Sequence, residues 1–366
     1  MLEIILIILF LIFLGLIIFA IFSGIGMFNQ IFLRKKDDES LNPNVIKNSL
    51  EQMKNSALGT SLEGIKMEGA GNLASHLNDK KIMITLLEKK LYWFDILNNN
   101  EKIQKVSIIG TKGKKLQGYY IKAEENPLKK NCLAIIVHGY TDSGIGMAYL
   151  AEDYLSRGIS ILTVDCRAHG YSEGKYITMG YTDSKDVLKW LKFAINQENK
   201  NCNFILHGVS MGAATVIQTL SLKGTQKVTP KISLVVGDCG FSSAKDQMSL
   251  QINQFFGKNL FQKFIGKIIF LGLSFVNFFK SGFFLGWDSP KKALKKRQKM
   301  FCAKVPVILF HGEKDSFVPL NMLESLEKAS GNKNISIIKV KDAPHIGCYF
   351  YEPEKYMESI MKVAKI

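Results

Sequence analysis

The sequence predicts an α/β fold with a mostly parallel, doubly wound sheet, a helical cap insertion and an apolar N-terminal helix. Short apolar runs typical of buried parallel strands recur after residue 130. One of them leads through a Gly-x-Ser-x-Gly turn directly into a helical stretch, and polar residues with catalytic chemistry follow several others. The runs are 132–137, 203–207, 232–236, 305–311 and 335–340.

The Gly-x-Ser-x-Gly turn is the most informative of these features. It reads Gly208-Val209-Ser210-Met211-Gly212, with an apolar run before it and a helical stretch, 213–220, after it. So tight a turn needs glycine at both ends, and it holds the serine in a strained conformation with its hydroxyl exposed. Ser210 is therefore the candidate nucleophile.

A serine hydroxyl needs a histidine base, and the histidine needs a carboxylate. Asp315 stands just beyond the run that ends at Gly312, and His345 stands beyond the run 335–340. Doubly wound sheets place active residues at such strand ends. The order Ser210, Asp315, His345 also matches the strand-turn-helix class of serine hydrolases.

Other roles remain open for these two partners. Asp315 could cap the helix that starts near Pro319, and His345 could be a surface loop histidine. Glu313 is a competing carboxylate, but it lies too close to the strand. Four of the six histidines stand at predicted strand ends, which favours a catalytic role for this edge: His138, His207, His311 and His345.

Acyl transfer also requires two backbone N–H donors for the oxyanion. The amide of Met211, directly after the nucleophile, is the first candidate. The second is the amide of Tyr140, since Gly139 lets the loop after the run 132–137 turn inward. The alternative is that His138-Gly139 forms only a strand-end turn.

With these motifs the chain resembles an α/β-hydrolase fold serine hydrolase of the esterase and serine-aminopeptidase-like group. The resemblance covers residues ~105 to 366 and implies the fold and the triad, but no substrate, because this group cleaves esters, thioesters, amides and peptides. It implies a structural role for the block 165–174, in which Arg167 and His169 hold loops. Serine at position 210 disfavours related enzymes that attack with aspartate. The matching stretches are 138–140, 165–174, 208–212, 237–241, 311–315 and 344–345.

The N-terminal segment 1–33 predicts an uncleaved transmembrane anchor. No charged residue occurs from Ile4 to Leu33, and at about 1.5 Å per residue this stretch exceeds a hydrocarbon core about 30 Å thick. The membrane exit is expected within 23–33. A cleaved signal peptide is the alternative, but the stretch is too long for one and has no basic residue before it.

The flanking charges favour a catalytic domain on the cytoplasmic side. Arg34-Lys35-Lys36 follow the apolar stretch, and no basic residue precedes it. The six cysteines agree, since they lie in or beside predicted strands like buried thiols and form no disulfide framework. No Cys-x-x-Cys pair or Cys/His cluster suggests a metal site.

The rest of the chain divides into two parts. Residues 34–100 read as a polar spacer that holds the catalytic domain off the bilayer, with weak helical segments at 45–56 and 82–97, one of which could pack on that domain. Residues 101–366 form the hydrolase domain, which opens with a hairpin at 105–120.

A stretch rich in phenylalanine predicts a helical cap at about 245–295. Phe255, Phe275 and Phe279 are weak candidates for lining a substrate site, although most of the aromatics would form the cap's own core. A second transmembrane helix is the alternative, and it is disfavoured because Lys267 and Lys280 bracket only a short apolar run.

The formal net charge is +16, from 48 basic and 32 acidic residues. Nucleic acid is not the expected partner, because the dense basic cluster 291–299 has no interleaved aromatic residues and the other basic residues are scattered. A solvated surface or attraction to an anionic leaflet explains the cluster.

The sequence thus predicts a membrane-anchored serine hydrolase that cleaves carboxylic esters with an apolar acyl group, on a small or lipid-like substrate, without cofactor or metal. A serine peptidase or aminopeptidase of the same fold is the first alternative. A catalytically silent membrane adaptor is the second.

Overall fold

A computed structural model describes residues 2–34, 42–55, 80–99, 103–124, 131–256, 259–331 and 334–366. The strands are β1 (Gln104–Ile109), β2 (Lys115–Ile121), β3 (Cys132–Val137), β4 (Ser160–Val164), β5 (Asn203–Val209), β6 (Ile232–Asp238), β7 (Val307–Gly312) and β8 (Ile335–Val340). The helices are α1 (Leu2–Ile31), α2 (Pro43–Asn55), α3 (Lys80–Asn99), α4 (Ala148–Ser156), α5 (Asp183–Gln197), α6 (Met211–Thr219), α7 (Ala244–Phe256), α8 (Leu260–Ser281), α9 (Pro290–Arg297), α10 (Leu320–Ser330), α11 (Cys348–Tyr351) and α12 (Pro353–Ala364).

The described strands form one eight-stranded sheet in the order β1-β2-β4-β3-β5-β6-β7-β8. β1 and β2 pair as the predicted antiparallel hairpin, and β2 is also antiparallel to β4. Every other pairing is parallel. Because parallel strands end at the same edge, the carboxyl ends of β3, β5, β7 and β8 lie together, and the loops after them build the candidate site.

Each face of the sheet carries its own apolar core, because neighbouring residues of a buried strand point to opposite faces. In β3, Leu133 and Ile135 belong to one core, and Ala134 and Ile136 belong to the other. The first core includes residues of α5, α6, α8, α9 and α10, and the second includes residues of α2, α3, α4 and α12.

Helices α2 and α3, within residues 42–55 and 80–99, pack on the sheet. Ile46 and Met53 of α2 pack with Leu87 and Trp93 of α3, and all four side chains are buried in the second core. The sequence left open that one of these helical segments packs on the domain, and residues of both lie in the second core. Residues 35–41 and 56–79, most of the rest of the predicted spacer, lie outside the described residues.

The end of α1 docks directly on the catalytic domain. Phe28 and Phe32 are completely buried in the first core, and Phe28 meets the ring of Tyr176 edge-on at 5.1 Å. Leu33 forms an antiparallel bridge with Tyr176, and the Arg34 guanidinium donates to the carbonyls of Gly170 and Ser172. The domain is thus fixed to the end of the apolar helix.

α8 packs against α1 at backbone contact. A Cβ on Gly272 would lie 1.8 Å from the carbonyl oxygen of Ala20, and one on Gly24 would lie 2.4 Å from the carbonyl carbon of Gly272. Only glycine permits this approach, which resembles the close packing of helices in membranes.

Among the described residues, two helices are long and apolar enough to cross a membrane, Glu3–Ile31 and Leu260–Ser281, with mean hydropathies of 3.6 and 1.4. α8 continues through Lys267, whose ammonium can extend away from apolar surroundings, so this lysine does not shorten the apolar helix. Burial distinguishes the two helices. Half of the apolar window of α8 is buried against the protein, whereas none of the α1 window is.

Substituting Gly24 by leucine should separate α1 from α8. The new side chain would meet the backbone of Gly272, and overpacking of this kind costs about 1 to 3 kcal/mol. Gly26→Leu is the matched control, since it lies on the same helix and a Cβ there meets nothing within 4 Å. Thermal unfolding in detergent should show a lower midpoint for Gly24→Leu alone, and equal midpoints would contradict this packing.

Candidate active site

The turn between β5 and α6 has the geometry that its sequence predicts. A Cβ on Gly208 would lie 2.1 Å from the carbonyl oxygen of Gly212, and one on Gly212 would lie 2.0 Å from that of Val137. Ser210 between them adopts φ 53° and ψ −111°, a conformation that costs an ordinary residue about 1 to 3 kcal/mol. Its amide donates to the carbonyl of Asp238 at 2.7 Å, which holds the strained residue in place.

The three side chains predicted to act together lie in one hydrogen-bonded chain. His345 Nε2 is 3.0 Å from Ser210 Oγ, and His345 Nδ1 is 2.7 Å from Asp315 Oδ2. A carboxylate can only accept, so Nδ1 carries the proton and leaves Nε2 free to accept from the serine hydroxyl. All three residues are buried, Ser210 at 5 % exposure and His345 at 4 %. This is the arrangement that a general base and its nucleophile require.

The loop after β7 holds the Asp315 carboxylate rigidly. Asp315 Oδ1 accepts from the amides of Phe317 and Val318 at 3.0 and 2.8 Å, so only Oδ2 turns to His345. The ring of Phe317 lies 5.0 Å from the ring of His345 and covers one side of it. Glu313, the competing carboxylate, is exposed in the same loop.

The loop after β3 passes beside the nucleophile. A Cβ on Gly139 would lie 3.4 Å from that of Ser210, so the peptide that carries the Tyr140 amide runs along the site. Met211 is the first residue of α6, and its amide lies outside the helical hydrogen-bond ladder. The structure thus brings both predicted oxyanion donors to the neighbourhood of Ser210.

Two contacts that the sequence did not reveal fix this loop. The Tyr140 hydroxyl donates to the carbonyl of Ile31, at the end of α1, at 2.6 Å, and burial raises the pKa of Tyr140 to about 12. Lys90 of α3 forms a buried ion pair with Asp142 at 3.2 Å. Both partners come from segments far away in the chain, and no local motif marks them.

The other strand-end histidines have structural surroundings. His138 Nε2 accepts from the amide of Cys166 at 2.9 Å and thereby ties β3 to the end of β4. His207 lies between the hydroxyls of Tyr154 and Tyr356, and burial lowers its pKa to about 3, so it stays neutral. His311 Nε2 donates to the carbonyl of Val318 at 2.7 Å, and burial lowers its pKa also.

The block 165–174 braces the loops around the site, as the resemblance implied. Arg167 forms a buried ion pair with Asp186 at 2.7 Å and donates to the carbonyl of Thr111. His169 contacts the ring of His138 edge-on at 5.0 Å. These contacts join β4, α5 and the hairpin behind the candidate site.

A cysteine pair lies behind His345, where the sequence predicted only separate buried thiols. Cys239 Sγ and Cys348 Sγ are 3.6 Å apart and fully buried, and Cys239 Sγ accepts from the amide of Ile346. Burial raises the pKa of Cys348 to about 12, and the pKa of Cys239 is raised as well. Cys239 also lies close enough to Asp315 and His345 for the three to share an ion, a cluster that spacing alone could not reveal.

The three aromatic candidates for substrate contact lie on the outer surface of the cap helices. Phe255, Phe275 and Phe279 are 80, 45 and 68 % exposed. The rings of Phe275 and Phe279 contact each other at 4.7 Å. Their positions give no support to a role in lining an enclosed acyl site.

The central part of the chain matches a known protein family. Residues 129–263 match the family described as serine aminopeptidase, S33. The Bacillus subtilis (strain 168) protein YqkD is 23 % identical over 271 residues, which cover 73 % of this chain and 82 % of that protein. The AB hydrolase superfamily protein YisY of the same organism is 24 % identical over 265 residues, 65 % of this chain and 96 % of that protein.

Solved structures show the same fold. The Pyrococcus furiosus esterase Pf2001 superposes with a TM-score of 0.55 at 21 % identity, over 74 % of this chain and 93 % of the esterase. An alpha-beta hydrolase from Vibrio vulnificus also gives a TM-score of 0.55, at 17 % identity, over 75 % of this chain and 86 % of that one.

Proposed function

Because this chain is an α/β-hydrolase fold protein whose residues 129–263 match the serine aminopeptidase S33 family, we propose that it is a serine hydrolase that cleaves carboxylic esters with an apolar acyl group. The observation that carries the proposal is the hydrogen-bonded chain from Ser210 through His345 to Asp315, at 3.0 and 2.7 Å. The similarity to an esterase supports the proposal.

In the proposed reaction, Ser210 Oγ attacks the ester carbonyl while His345 Nε2 takes the serine proton. The amides of Met211 and Tyr140 bind the oxyanion, and Asp315 stabilises the imidazolium. His345 then protonates the leaving alcohol, which departs and leaves an acyl group on Ser210. A water molecule, deprotonated by His345, releases the acid and restores the serine. Every proton taken is returned, so the cycle needs no cofactor.

The carboxylates around the site favour an ester over a peptide amino terminus as substrate. An aminopeptidase must bind a substrate ammonium, which calls for an available carboxylate. Asp142 is paired with Lys90, Asp165 accepts from the amides of Gly144 and Tyr171, and Asp238 accepts from Tyr356. These three carboxylates thus form hydrogen bonds or an ion pair with other residues of the protein, which disfavours their use as a binding site for a substrate ammonium. Aminopeptidase activity remains the second candidate because of the family match.

The proposal includes membrane anchoring by α1, with the catalytic domain on the cytoplasmic side. Cleavage of α1 as a signal peptide would remove Phe28 and Phe32 from the core, and losing one such ring costs about 3 to 5 kcal/mol. The basic residues at 34–36 favour the cytoplasmic side for the residues that follow α1. The six free, buried cysteines agree with a reducing compartment.

Replacing Ser210 by alanine should abolish hydrolysis of p-nitrophenyl butyrate and labelling by a fluorophosphonate probe, because the attacking oxygen is gone. Thermal unfolding should stay close to wild type. Ser156→Ala is the matched control, since Ser156 is an exposed serine at the end of α4. Full activity in Ser210→Ala would overturn the assignment, and wild-type protein that folds but takes no label would favour the silent adaptor.

Replacing Asp315 by asparagine should lower kcat on the same ester by roughly 10⁴-fold, because the amide stabilises the wrong histidine tautomer and no imidazolium. The matched control is Glu313→Gln, which neutralises the exposed carboxylate two residues earlier. A loss of activity in Glu313→Gln that equals the loss in Asp315→Asn would contradict the assignment of the orienting carboxylate.

The variant Tyr140→Phe should lower kcat roughly tenfold, a part of the roughly 10² to 10³-fold that a lost oxyanion donor costs. In the wild type, the Tyr140 hydroxyl donates to the carbonyl of Ile31 at 2.6 Å and so holds the loop in place. Tyr120→Phe is the control, because it removes the hydrogen bond of another partly buried tyrosine, to Glu198, from β2. Both variants should lose some stability, and only Tyr140→Phe should lose turnover. Equal kcat values would exclude this positioning role.

A further inference from the structure

The outward face of α8 carries a row of exposed apolar side chains. Successive members are mostly three, four or seven residues apart, which places them along one side of the helix, and exposed Lys267 lies between Phe264 and Leu271. Monomeric soluble proteins rarely expose so large an apolar surface in one place. The members and their exposed fractions are Leu260 86 %, Phe261 71 %, Phe264 52 %, Leu271 65 %, Phe275 45 % and Phe279 68 %.

We infer that this α8 face lies in the same membrane leaflet that α1 enters, and that the enzyme hydrolyses ester lipids of that leaflet. The inference rests on the proposed function, both its ester hydrolysis and its anchoring by α1. It adds a second membrane contact and names the substrate class as esters whose acyl chain lies in the bilayer.

The contact between α1 and α8 indicates that a lipid bilayer covers the α8 face. α1 has a mean hydropathy of 3.6 and none of its apolar window is buried by protein, so it needs a hydrocarbon environment. A hydrocarbon core about 30 Å thick takes about 20 of its residues. Counted from Ile4, this span ends near Ser23, which is where Ala20 and Gly24 touch Gly272 of α8. A bilayer that surrounds α1 therefore meets α8 at the edge of the hydrocarbon.

The charges beside the α8 face suit a lipid headgroup layer. Lys263, Lys267 and Lys280 lie exposed on the same helix. Ammonium groups on long apolar stems can reach lipid phosphates while the stems stay against apolar surface. Each one near an anionic leaflet contributes about 1 kcal/mol of attraction.

The same elements form the surroundings of the candidate site. Gln247 of α7, the helix beside α8, donates to the carbonyl of Phe317, whose ring covers His345. At the end of α1, the carbonyl of Ile31 accepts a hydrogen bond from the Tyr140 hydroxyl. A membrane that contacts α1 and α8 thus lies next to the segments that flank Ser210.

Quenching of tryptophan fluorescence by lipids with brominated acyl chains tests the contact without any use of activity. Full-length protein is reconstituted in phosphatidylcholine vesicles in a Trp287→Phe background, in which Trp93 and Trp190 stay buried. Phe275→Trp reports on the α8 face, and Tyr92→Trp is the control. Tyr92 is 58 % exposed on α3, which packs on the opposite face of the sheet.

Bromolipid should quench the Phe275→Trp protein at least about twofold more than the Tyr92→Trp protein, because bromine quenches only on contact within the acyl layer. Equal quenching in the two proteins would overturn the inference. So would an unquenched Phe275→Trp protein that forms dimers, since a second copy would then cover the α8 face.

A kinetic experiment tests the substrate class. The triple variant Phe264→Ser, Leu271→Ser, Phe275→Ser should keep the activity on soluble p-nitrophenyl butyrate and lose about tenfold on 1-oleoylglycerol in vesicles. The control Tyr92→Ser should keep both activities. Equal rates of wild type and triple variant on the vesicle substrate would overturn the inference. A wild type inactive on both esters would overturn the proposed function, while the quenching result would still stand.

Discussion

The close approach of α6 to the ends of β3 and β5 is the constraint on which the candidate site depends. Gly208 and Gly212 leave no room for a methyl group, because each would meet a carbonyl oxygen at about 2 Å. This approach forces Ser210 to φ 53° and aims its hydroxyl away from the sheet toward His345. It also starts a helix at Met211, so that an amide without a helical partner stands beside the nucleophile. In the proposed reaction, the strained turn therefore positions the attacking hydroxyl and one oxyanion donor together.

The parts of the site that the sequence predicted are those that follow from local rules. A parallel sheet brings the ends of its strands to one edge, so residues that follow strands in the chain, such as Asp315 and His345, meet there although thirty residues separate them. Strand ends alone do not select the catalytic histidine. His138, His207 and His311 share that position, but each ties two elements together through hydrogen bonds of its own. The sequence also predicted helical segments at 45–56 and 82–97 and left open whether one of them packs on the domain, because a weak periodicity does not show what a helix packs against.

Contacts between distant segments could not be predicted, because no periodicity or motif records them. The bond from Tyr140 to Ile31 joins residues 109 positions apart, and the cysteine pair behind His345 joins residues 109 positions apart as well. The packing of α1 on α8 depends on two isolated glycines, Gly24 and Gly272, whose meaning appears only once the helices are side by side.

In the proposed anchored hydrolase, the end of α1 has two physical roles, as a tether to the bilayer and as a part of the folded domain. A tether works best when it is independent of the domain it carries, whereas Phe28, Phe32 and Arg34 make this helix part of the domain's core and loops. The hydroxyl of Tyr140 extends that connection to the loop beside Ser210. The helix end cannot shift without disturbing these contacts. Under the proposed anchoring by α1, the position of the bilayer and the geometry of the loop that carries Tyr140 are therefore coupled, and the proposed bilayer substrate gains from this rigid attachment.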